Sequence, residues 1–161
     1  MTASQSRAQL SLWAMLKSPM LISADLLDAN QSTIDILANK EVLAVSDDPL
    51  GKEGLRLGDS GREDRSVGEI YVAPMTGGRF AVCMFNREGG EYNMTFHESD
   101  LRALGATSNG GDTSNWGASA GWRVRDVWAH TDNGTLSTDA VIAVNVPGTD
   151  VVMFVLTPKT E

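Results

Sequence analysis

The sequence is poor in the residues that build disulfides, metal centres and membrane spans. Its single cysteine, Cys83, has no second thiol to pair with, which excludes a disulfide within the chain. The two histidines, His97 and His130, do not cluster with other residues at metal-ligand spacing, so no metal and no other cofactor is predicted. No apolar run approaches the roughly 20 residues that a membrane helix needs, so no membrane partner is predicted.

Basic residues are scarce as well. The chain has 13 lysines and arginines against 21 acidic residues, which gives a net charge of -8. Proteins that bind a phosphate backbone present a basic face, so this balance argues against a nucleic-acid partner and fits a soluble protein with an uncharged ligand. The opening residues, MTASQSRAQL, lack a basic-then-apolar pattern, and no secretion signal is predicted.

The first fifty residues have helical periodicity around one short apolar run. Leu12, Met15 and Leu16 share a helix face, and Pro19 ends that helix at or before Ser18. The run that follows, Met20-Leu21-Ile22, is typical of a buried parallel strand.

Two short helices are predicted after that strand. Asn30 is suited to cap a helix from Gln31 to Ala38, with Ile34 and Leu37 inward. Asn39 is suited to cap a second helix from Lys40 to about Ser46, which would bury its three central apolar residues, Val42, Leu43 and Val45. One buried strand between helices lacks neighbours for its main-chain groups, so residues 1–50 are interpreted as the tail of a larger α/β domain.

Residues 51–161 are predicted to form a separate antiparallel β domain, a sandwich or a barrel, which makes the whole chain α+β. Met75–Gly78 and Glu88–Gly90 are typical of hairpin turns, Gly58–Ser66 of a loop, and Ser99–Leu104 of one helical turn. Residues 105–121 are rich in Gly, Ser and Asn and indicate a long surface loop or flexible insertion. The predicted strands are Glu69–Ala73, Arg79–Phe85, Tyr92–His97, Trp122–Trp128, Ala140–Val146 and Val151–Leu156.

Four segments carry a family resemblance. The stretches SLWAMLKSPMLISADL (11–26) and TIDILANKEVLAVSDDPLG (33–51) resemble the α-galactosidase (melibiase) family of glycoside hydrolases. That family typically shows a Leu-Trp-Ala helix, a Pro-Leu-Leu-Ile strand ending in Asn-Asp-Leu, and then Asn-Lys-Glu-Val-Ile-Ala-Val-Asn-Gln-Asp-Pro-Leu-Gly. VRDVWAH (124–130) is similar to its Arg-Asp-Leu-Trp strand, and VVMFVLTP (151–158) to its C-terminal strand.

The resemblance implies the end of a catalytic (β/α)8 barrel in residues 1–50, followed by a C-terminal antiparallel β-sandwich. It also implies retaining hydrolysis of terminal α-galactosides by two carboxylates about 5 to 5.5 Å apart at the carboxyl ends of barrel strands. In the family those carboxylates follow the fourth and sixth strands, upstream of Met1. No catalytic, substrate-binding or metal-binding residue is therefore assigned to this chain, and we expect it to be inactive by itself.

This sequence departs from the family pattern at several places. Ala24 replaces the usual Asn before Asp25, and Ser46-Asp47 replaces Asn-Gln before Asp48. The insertion at residues 105–121 is longer than typical, and Pro147-Gly148 stands where many members have a histidine. None of these positions would touch the reacting sugar.

The adjacent acids Asp47 and Asp48 could suggest an acid/base pair. Neighbouring helical positions point about 100° apart, so the two carboxylates would not face one substrate. Pro49 also forces Asp48 out of the helical region, which favours a structural corner between the domains, ending at Gly51. For Asp25, at the end of the predicted strand, a loop hydrogen bond is favoured over a sugar contact.

Four tryptophans could stack on sugars, but core packing is favoured for three of them. Trp13 lies on a helix, and Trp122 and Trp128 share a strand face by even spacing, with Asp126 between them as a satisfied structural acid. Trp116, in the 105–121 insertion, is the candidate stacking platform. It supports the alternative function, a non-catalytic carbohydrate-binding or scaffold β module.

Three Asn-X-Ser/Thr sites occur, at Asn30, Asn93 and Asn133, and they matter where the protein is secreted. The resemblance implies a secreted or lysosomal enzyme, although the chain itself shows no signal segment. The sequence also leaves open a homo-oligomer and an N-acetylgalactosamine-specific parent enzyme. Whether Met1 is the natural start is left open too.

Overall fold

The computed structural model describes residues 1–57, 67–101, 120–137 and 140–159. Three helices come first: α1 (Ala3–Met15), α2 (Gln31–Leu37) and α3 (Lys40–Ser46). Within the described residues eight strands follow. They are β1 (Leu55–Arg56), β2 (Gly68–Met75), β3 (Arg79–Asn86), β4 (Tyr92–His97), β5 (Trp122–Asp126), β6 (Thr131–Leu136), β7 (Val141–Val146) and β8 (Val151–Pro158).

The helix boundaries follow from local hydrogen bonding, as the sequence predicts. Asn30 and Asn39 cap α2 and α3 through their side-chain oxygens, which accept backbone N–H groups of the first turn. Thr2 and Gln5 form a capping box at the start of α1. At its other end Lys17 adopts φ 54°, and the Ser18 N–H donates to the Trp13 carbonyl at 3.0 Å, which closes α1 ahead of Pro19.

The strands form two antiparallel sheets, which confirms the predicted sandwich. The larger sheet has the order β1-β2-β3-β8-β5-β6, and the smaller one pairs β4 with β7. Alternate residues of the central strands face the small sheet, and the shared core is largely aromatic and aliphatic. Its most deeply buried members are Phe80, Val82, Met84, Met94, Phe96, Leu101, Trp122, Val146 and Leu156.

The opposite face of the larger sheet is covered by the helices. Ala81 and Cys83 of β3 and Met153 of β8 point to this side and are fully buried. The helices bury Ala14, Met15, Val42 and Val45 against them. The central strands are therefore enclosed on both faces, and α1 and α3 are the third layer of the domain.

The structure corrects the predicted strands and turns at four places. The predicted strand 122–128 ends at Asp126, and a turn at 127–130 leads into β6, which the sequence did not indicate because Thr131–Leu136 is mostly polar. The two-residue strand β1 was also missed. Glu88–Gly90 is not a hairpin turn, because β3 and β4 lie in different sheets.

That Glu88–Gly90 crossover is held by a buried asparagine and a close glycine. The Asn86 Nδ2 group donates to the Gly90 and Val146 carbonyls at 2.7 and 3.0 Å. A Cβ on Gly148 would meet the Gly89 carbonyl oxygen at 2.2 Å. Close packing against the crossover therefore restricts position 148 to glycine.

Other expectations fall wholly or partly outside the described residues. They are the loop at Gly58–Ser66 and the insertion at 105–121, including Trp116. Of the predicted helical turn at Ser99–Leu104, residues 99–101 are described and are helical.

Asp48 joins the end of α3 to the β2–β3 hairpin. Its carboxylate accepts the Thr76 N–H at 2.8 Å, the Thr76 hydroxyl at 2.9 Å and the Leu50 N–H at 3.1 Å, and Arg79 Nη2 donates to its second oxygen at 2.9 Å. Burial opposes its ionisation, but the hydrogen bonds and the Arg79 charge outweigh burial and hold the pKa of Asp48 below its ordinary value.

Two further ion pairs join the helices to the sandwich. Arg7 of α1 binds the buried Asp150, which precedes β8. Glu41 of α3 accepts two hydrogen bonds from the Arg125 guanidinium, at 2.8 and 3.0 Å, and a contact of 2.7 Å from His130 Nδ1. The Arg125 hydrogen bonds lower the pKa of Glu41 from 4.5 to about 2, with burial opposing and His130 assisting.

We expect Asp48→Ala to lower the free energy of unfolding by about 2–4 kcal/mol, because it removes a buried charged acceptor and leaves its donors unpaired. Urea denaturation measures this. The matched control is Asp47→Ala, since Asp47 is exposed and its loss should change stability by no more than about 0.5 kcal/mol. Equal losses in the two variants would contradict the structural role of Asp48.

The Glu41 carboxylate predicts a pH dependence. Because its folded pKa is depressed, its contribution to stability is present above about pH 4.5 and is lost as pH falls toward about pH 2. Urea denaturation across this range should show a flatter acid decline for Glu41→Gln than for the wild type. Glu53→Gln, at an exposed acid, should keep the wild-type profile. Parallel profiles for the wild type and Glu41→Gln would be the contrary result.

Candidate functional site

The segment between α1 and α2 leaves large apolar side chains in water. We call residues Met20 to Leu27 the apolar segment. Leu21 is 83% exposed and Leu27 is 97% exposed, while Ile22 and Leu26 are about half exposed. The apolar segment forms neither helix nor strand within this chain. A cluster of this kind on a folded protein indicates a surface that another element covers.

The predicted strand Met20–Ile22 lies inside the apolar segment and has no strand partner among the described residues. A barrel strand needs parallel neighbours, whereas the described strands of this chain pair with one another in antiparallel sheets. No self-sufficient barrel sheet is therefore built around this run by the described part of the chain.

Large apolar side chains are also exposed at the end of α1. Trp13 is 37% exposed and Leu16 is 44% exposed, so the prediction that Trp13 packs in the core is wrong for this chain. Ala8, Ser11 and Met15 face the sandwich, and Trp13 lies about 200° around the helix from Ser11. α1 thus has one face on the sandwich and exposes Trp13 on its other side.

The acidic candidates have structural partners. Asp25 Oδ1 accepts the Leu27 N–H at 3.0 Å, the loop hydrogen bond expected for it. Asp48 is buried in the junction described above, while Asp47 is exposed, so the two carboxylates do not face a common substrate. Lys17 donates to the Val45 carbonyl beside them, and its burial lowers the pKa of its amine against the opposing pull of Asp48 and Asp47.

Trp122 and Trp128 face different sides of the protein. Trp122 is fully buried in the sandwich, packs edge-on against Phe80 at 5.5 Å and donates to Glu98 Oε1 at 3.3 Å. Trp128 lies in the turn after β5 and donates to the Ser11 hydroxyl of α1 at 2.9 Å.

The prediction that these two tryptophans share a strand face is wrong, because the strand ends at Asp126. The Asp126 carboxylate accepts the Trp128 and Ala129 N–H groups at 2.9 Å each and shapes the turn. This agrees with the satisfied structural acid expected at that position.

Other reactive side chains of the described residues offer no nucleophile. Burial raises the pKa of the Cys83 thiol far above its ordinary value, so the thiolate is disfavoured. Burial and a hydrogen bond to Glu69 raise the pKa of Tyr71 to about 12. Within the described ranges no three His, Cys, Asp or Glu side chains are grouped as metal ligands, and no helix is both long and apolar enough to cross a membrane.

The three Asn-X-Ser/Thr sites differ in how their amides are used. Asn30 is exposed, but its side-chain oxygen caps α2. Asn93 lies on β4 and Asn133 on β6, and both are exposed.

Comparison with known proteins gives two family matches. Residues 67–156 match the family described as Alpha galactosidase C-terminal beta sandwich domain, and residues 1–48 match the one described as Alpha galactosidase A. The division of the chain near residue 50 lies between these ranges and stays a prediction.

Similar proteins are much longer than this chain. Alpha-galactosidase 3 of Arabidopsis thaliana is 32% identical over 99% of the chain, and the match spans 33% of that protein. The human alpha-N-acetylgalactosaminidase is 35% identical over 51% of the chain and 19% of its own length. Alpha-galactosidase I of Mortierella vinacea shares the fold, with a TM-score of 0.81 and 21% identity over 100% of this chain and 38% of that structure.

The chain therefore spans about a third of the length of the curated relatives it matches. Its fold class is the tail of a (β/α)8 barrel followed by an antiparallel β-sandwich, as the resemblance implied. The family match over 67–156 covers more than half of the chain, and the match over 1–48 belongs to the same enzymes. The chain belongs to the α-galactosidase (melibiase) family of glycoside hydrolases, of which it is a C-terminal portion.

Proposed function

We propose that this chain closes and braces the catalytic barrel of a retaining glycosidase that hydrolyses terminal α-galactosides. The apolar segment would supply the last barrel strand, and α1 to α3 would pack outside it. The two catalytic carboxylates would come from barrel residues that precede the part matched here, and the sandwich would hold the closing segment in place.

The single observation that carries this proposal is the exposure of the apolar segment beside a well-packed domain. Leu21 and Leu27 are almost fully exposed, whereas Met15 and Val42, on the adjoining helices, are completely buried. A segment with exposed apolar side chains and no strand partner for its backbone is suited to insertion between two other strands. The buried faces of α1 and α3, which lie before and after the apolar segment in the chain, meanwhile pack on the sandwich.

For the substrate of the complete enzyme we propose a class of sugar and not one particular sugar. The relatives include alpha-galactosidases and an alpha-N-acetylgalactosaminidase, and both names denote enzymes that act on α-linked galactose derivatives. The loops that would select between these sugars follow other barrel strands. A homo-oligomer that covers the apolar segment of the free chain stays a prediction.

We expect the purified 161-residue chain to release no measurable chromophore from a nitrophenyl α-galactoside. The reason is that retaining hydrolysis needs a nucleophile and an acid/base a few ångströms apart, and the described residues offer no such pair to a substrate. An intact α-galactosidase assayed in the same buffer is the positive control. Turnover by this chain that disappears when an internal acid such as Asp25 or Asp48 is replaced would overturn the proposal.

Amide hydrogen exchange tests the unpartnered state of the apolar segment. Residues 20–27 should exchange fast, because no strand or helix protects their N–H groups, while β3, β8 and the buried turns of α1 and α3 exchange slowly. Mass spectrometry of peptic peptides measures this. Slow exchange in the apolar segment of the monomeric chain would show that it already has a partner and would count against its role as an incomplete barrel strand.

A further inference from the structure

The edge strand β6 contains a bulge at Asn133-Gly134. Arg123 of β5 pairs with Thr135, and Arg125 pairs with Asp132, so two residues of β6 stand opposite one residue of β5. Gly134 adopts φ 80°, a conformation that residues with side chains rarely adopt. Thr131 to Thr135 are all exposed, and β6 is the last strand of its sheet.

Asparagine followed by glycine has a specific reactivity. The backbone nitrogen of the next residue can attack the side-chain Cγ and close a five-membered ring, and a following Cβ hinders that approach. Gly134 has no Cβ, and the place where one would stand has no atom within 4 Å. The residue that supplies the attacking nitrogen therefore has no Cβ, and no atom beyond its chain neighbours fills the space that a Cβ would occupy.

A neighbouring hydroxyl also contacts the carbonyl that would be attacked. The Thr131 hydroxyl donates to Asn133 Oδ1 at 3.2 Å. A donor at this oxygen stabilises the negative charge that develops on it as the tetrahedral intermediate forms. The other described asparagines lack this combination: each is followed by a residue with a side chain, and Asn30 and Asn39 use their side-chain oxygens to cap helices.

We propose that Asn133 is a site of spontaneous deamidation in the folded protein, with Thr131 assisting the ring closure. The Gly134 nitrogen loses its proton and bonds to Asn133 Cγ, the Cγ–Nδ2 bond breaks, and ammonia leaves. One water then opens the cyclic imide at either carbonyl to give aspartate or isoaspartate. The product carries one more negative charge beside Asp132, which itself lies 3.4 Å from Arg125.

The reaction would also remove the acceptor amide of the Asn133-Gly134-Thr135 glycosylation motif, so the two modifications exclude each other at this residue. Deamidation at Asn133 involves the β domain alone and is independent of the enzymatic function proposed above.

The test follows deamidation by peptide mapping of the full chain, incubated folded or unfolded in urea at neutral pH. Asn109 is also followed by glycine and lies outside the described residues, so all variants carry Asn109→Gln to isolate Asn133. Asn133→Asp supplies the product standard for chromatography, and Asn93, which precedes a methionine, is the internal slow comparator.

We expect Asn133 to convert well ahead of Asn93 in the folded chain. Thr131→Val should slow that conversion by about fivefold, the factor that one neutral hydrogen bond is worth, and should leave the rate in urea unchanged. Thr135→Val, the same change at an exposed residue of the same strand, should leave both rates unchanged. If Asn133 converts in urea but not in the folded chain, it is not a deamidation site of the folded protein, and the proposal is wrong. Equal rates in Thr131→Val and Thr135→Val would overturn the assistance by Thr131.

Discussion

The packing of α1 and α3 on the outer face of β3 and β8 is the constraint on which the other features depend. It buries Ala14, Met15, Val42 and Val45 against Ala81, Cys83 and Met153. Without this layer one face of the larger sheet would be exposed apolar surface. With it, the barrel tail and the sandwich share one core, although they match two different family descriptions.

Apolar burial is not directional, so it does not by itself fix the angle of the helices. Polar contacts at three places do so: Arg7 with Asp150 near the start of α1, Glu41 with Arg125 at the start of α3, and Asp48 with Thr76 and Arg79 at its end. Asp48 is the most buried of the three carboxylates in these pairs, and its hydrogen bonds favour particular donor directions. These contacts orient α1 and α3 on the sandwich.

The sequence predicted those elements whose signal is local. Asn30 and Asn39 cap helices because capping needs one side chain and its own first turn, and β3 and β8 were predicted because their apolar runs are long enough for two buried faces. β6 was missed because an edge strand at a bulge, TDNGTL, is exposed and carries little apolar alternation. Trp128 was placed on the wrong face because the turn after Asp126 depends on a side-chain hydrogen bond that spacing does not reveal. The ion pair of Glu41 with Arg125 joins residues far apart in the chain, and one sequence contains no signal for it.

The two neighbouring acids at the end of α3 illustrate why a motif has to be judged by its surroundings. Asp47 and Asp48 carry the same chemical group one residue apart. Asp47 is exposed to water, whereas Asp48 accepts hydrogen bonds from the β2–β3 hairpin. A catalytic carboxylate must keep an oxygen available to substrate, whereas both oxygens of Asp48 are engaged by the protein.

The parts of a barrel enzyme also differ in whether they must stay accessible to substrate. The strand ends that carry out the chemistry have to stay open, whereas the segment that closes the barrel is stable only when it is covered on both sides. In this chain the sandwich covers one face of α1 and α3, and most of the large apolar side chains that are exposed among the described residues lie between Trp13 and Leu27.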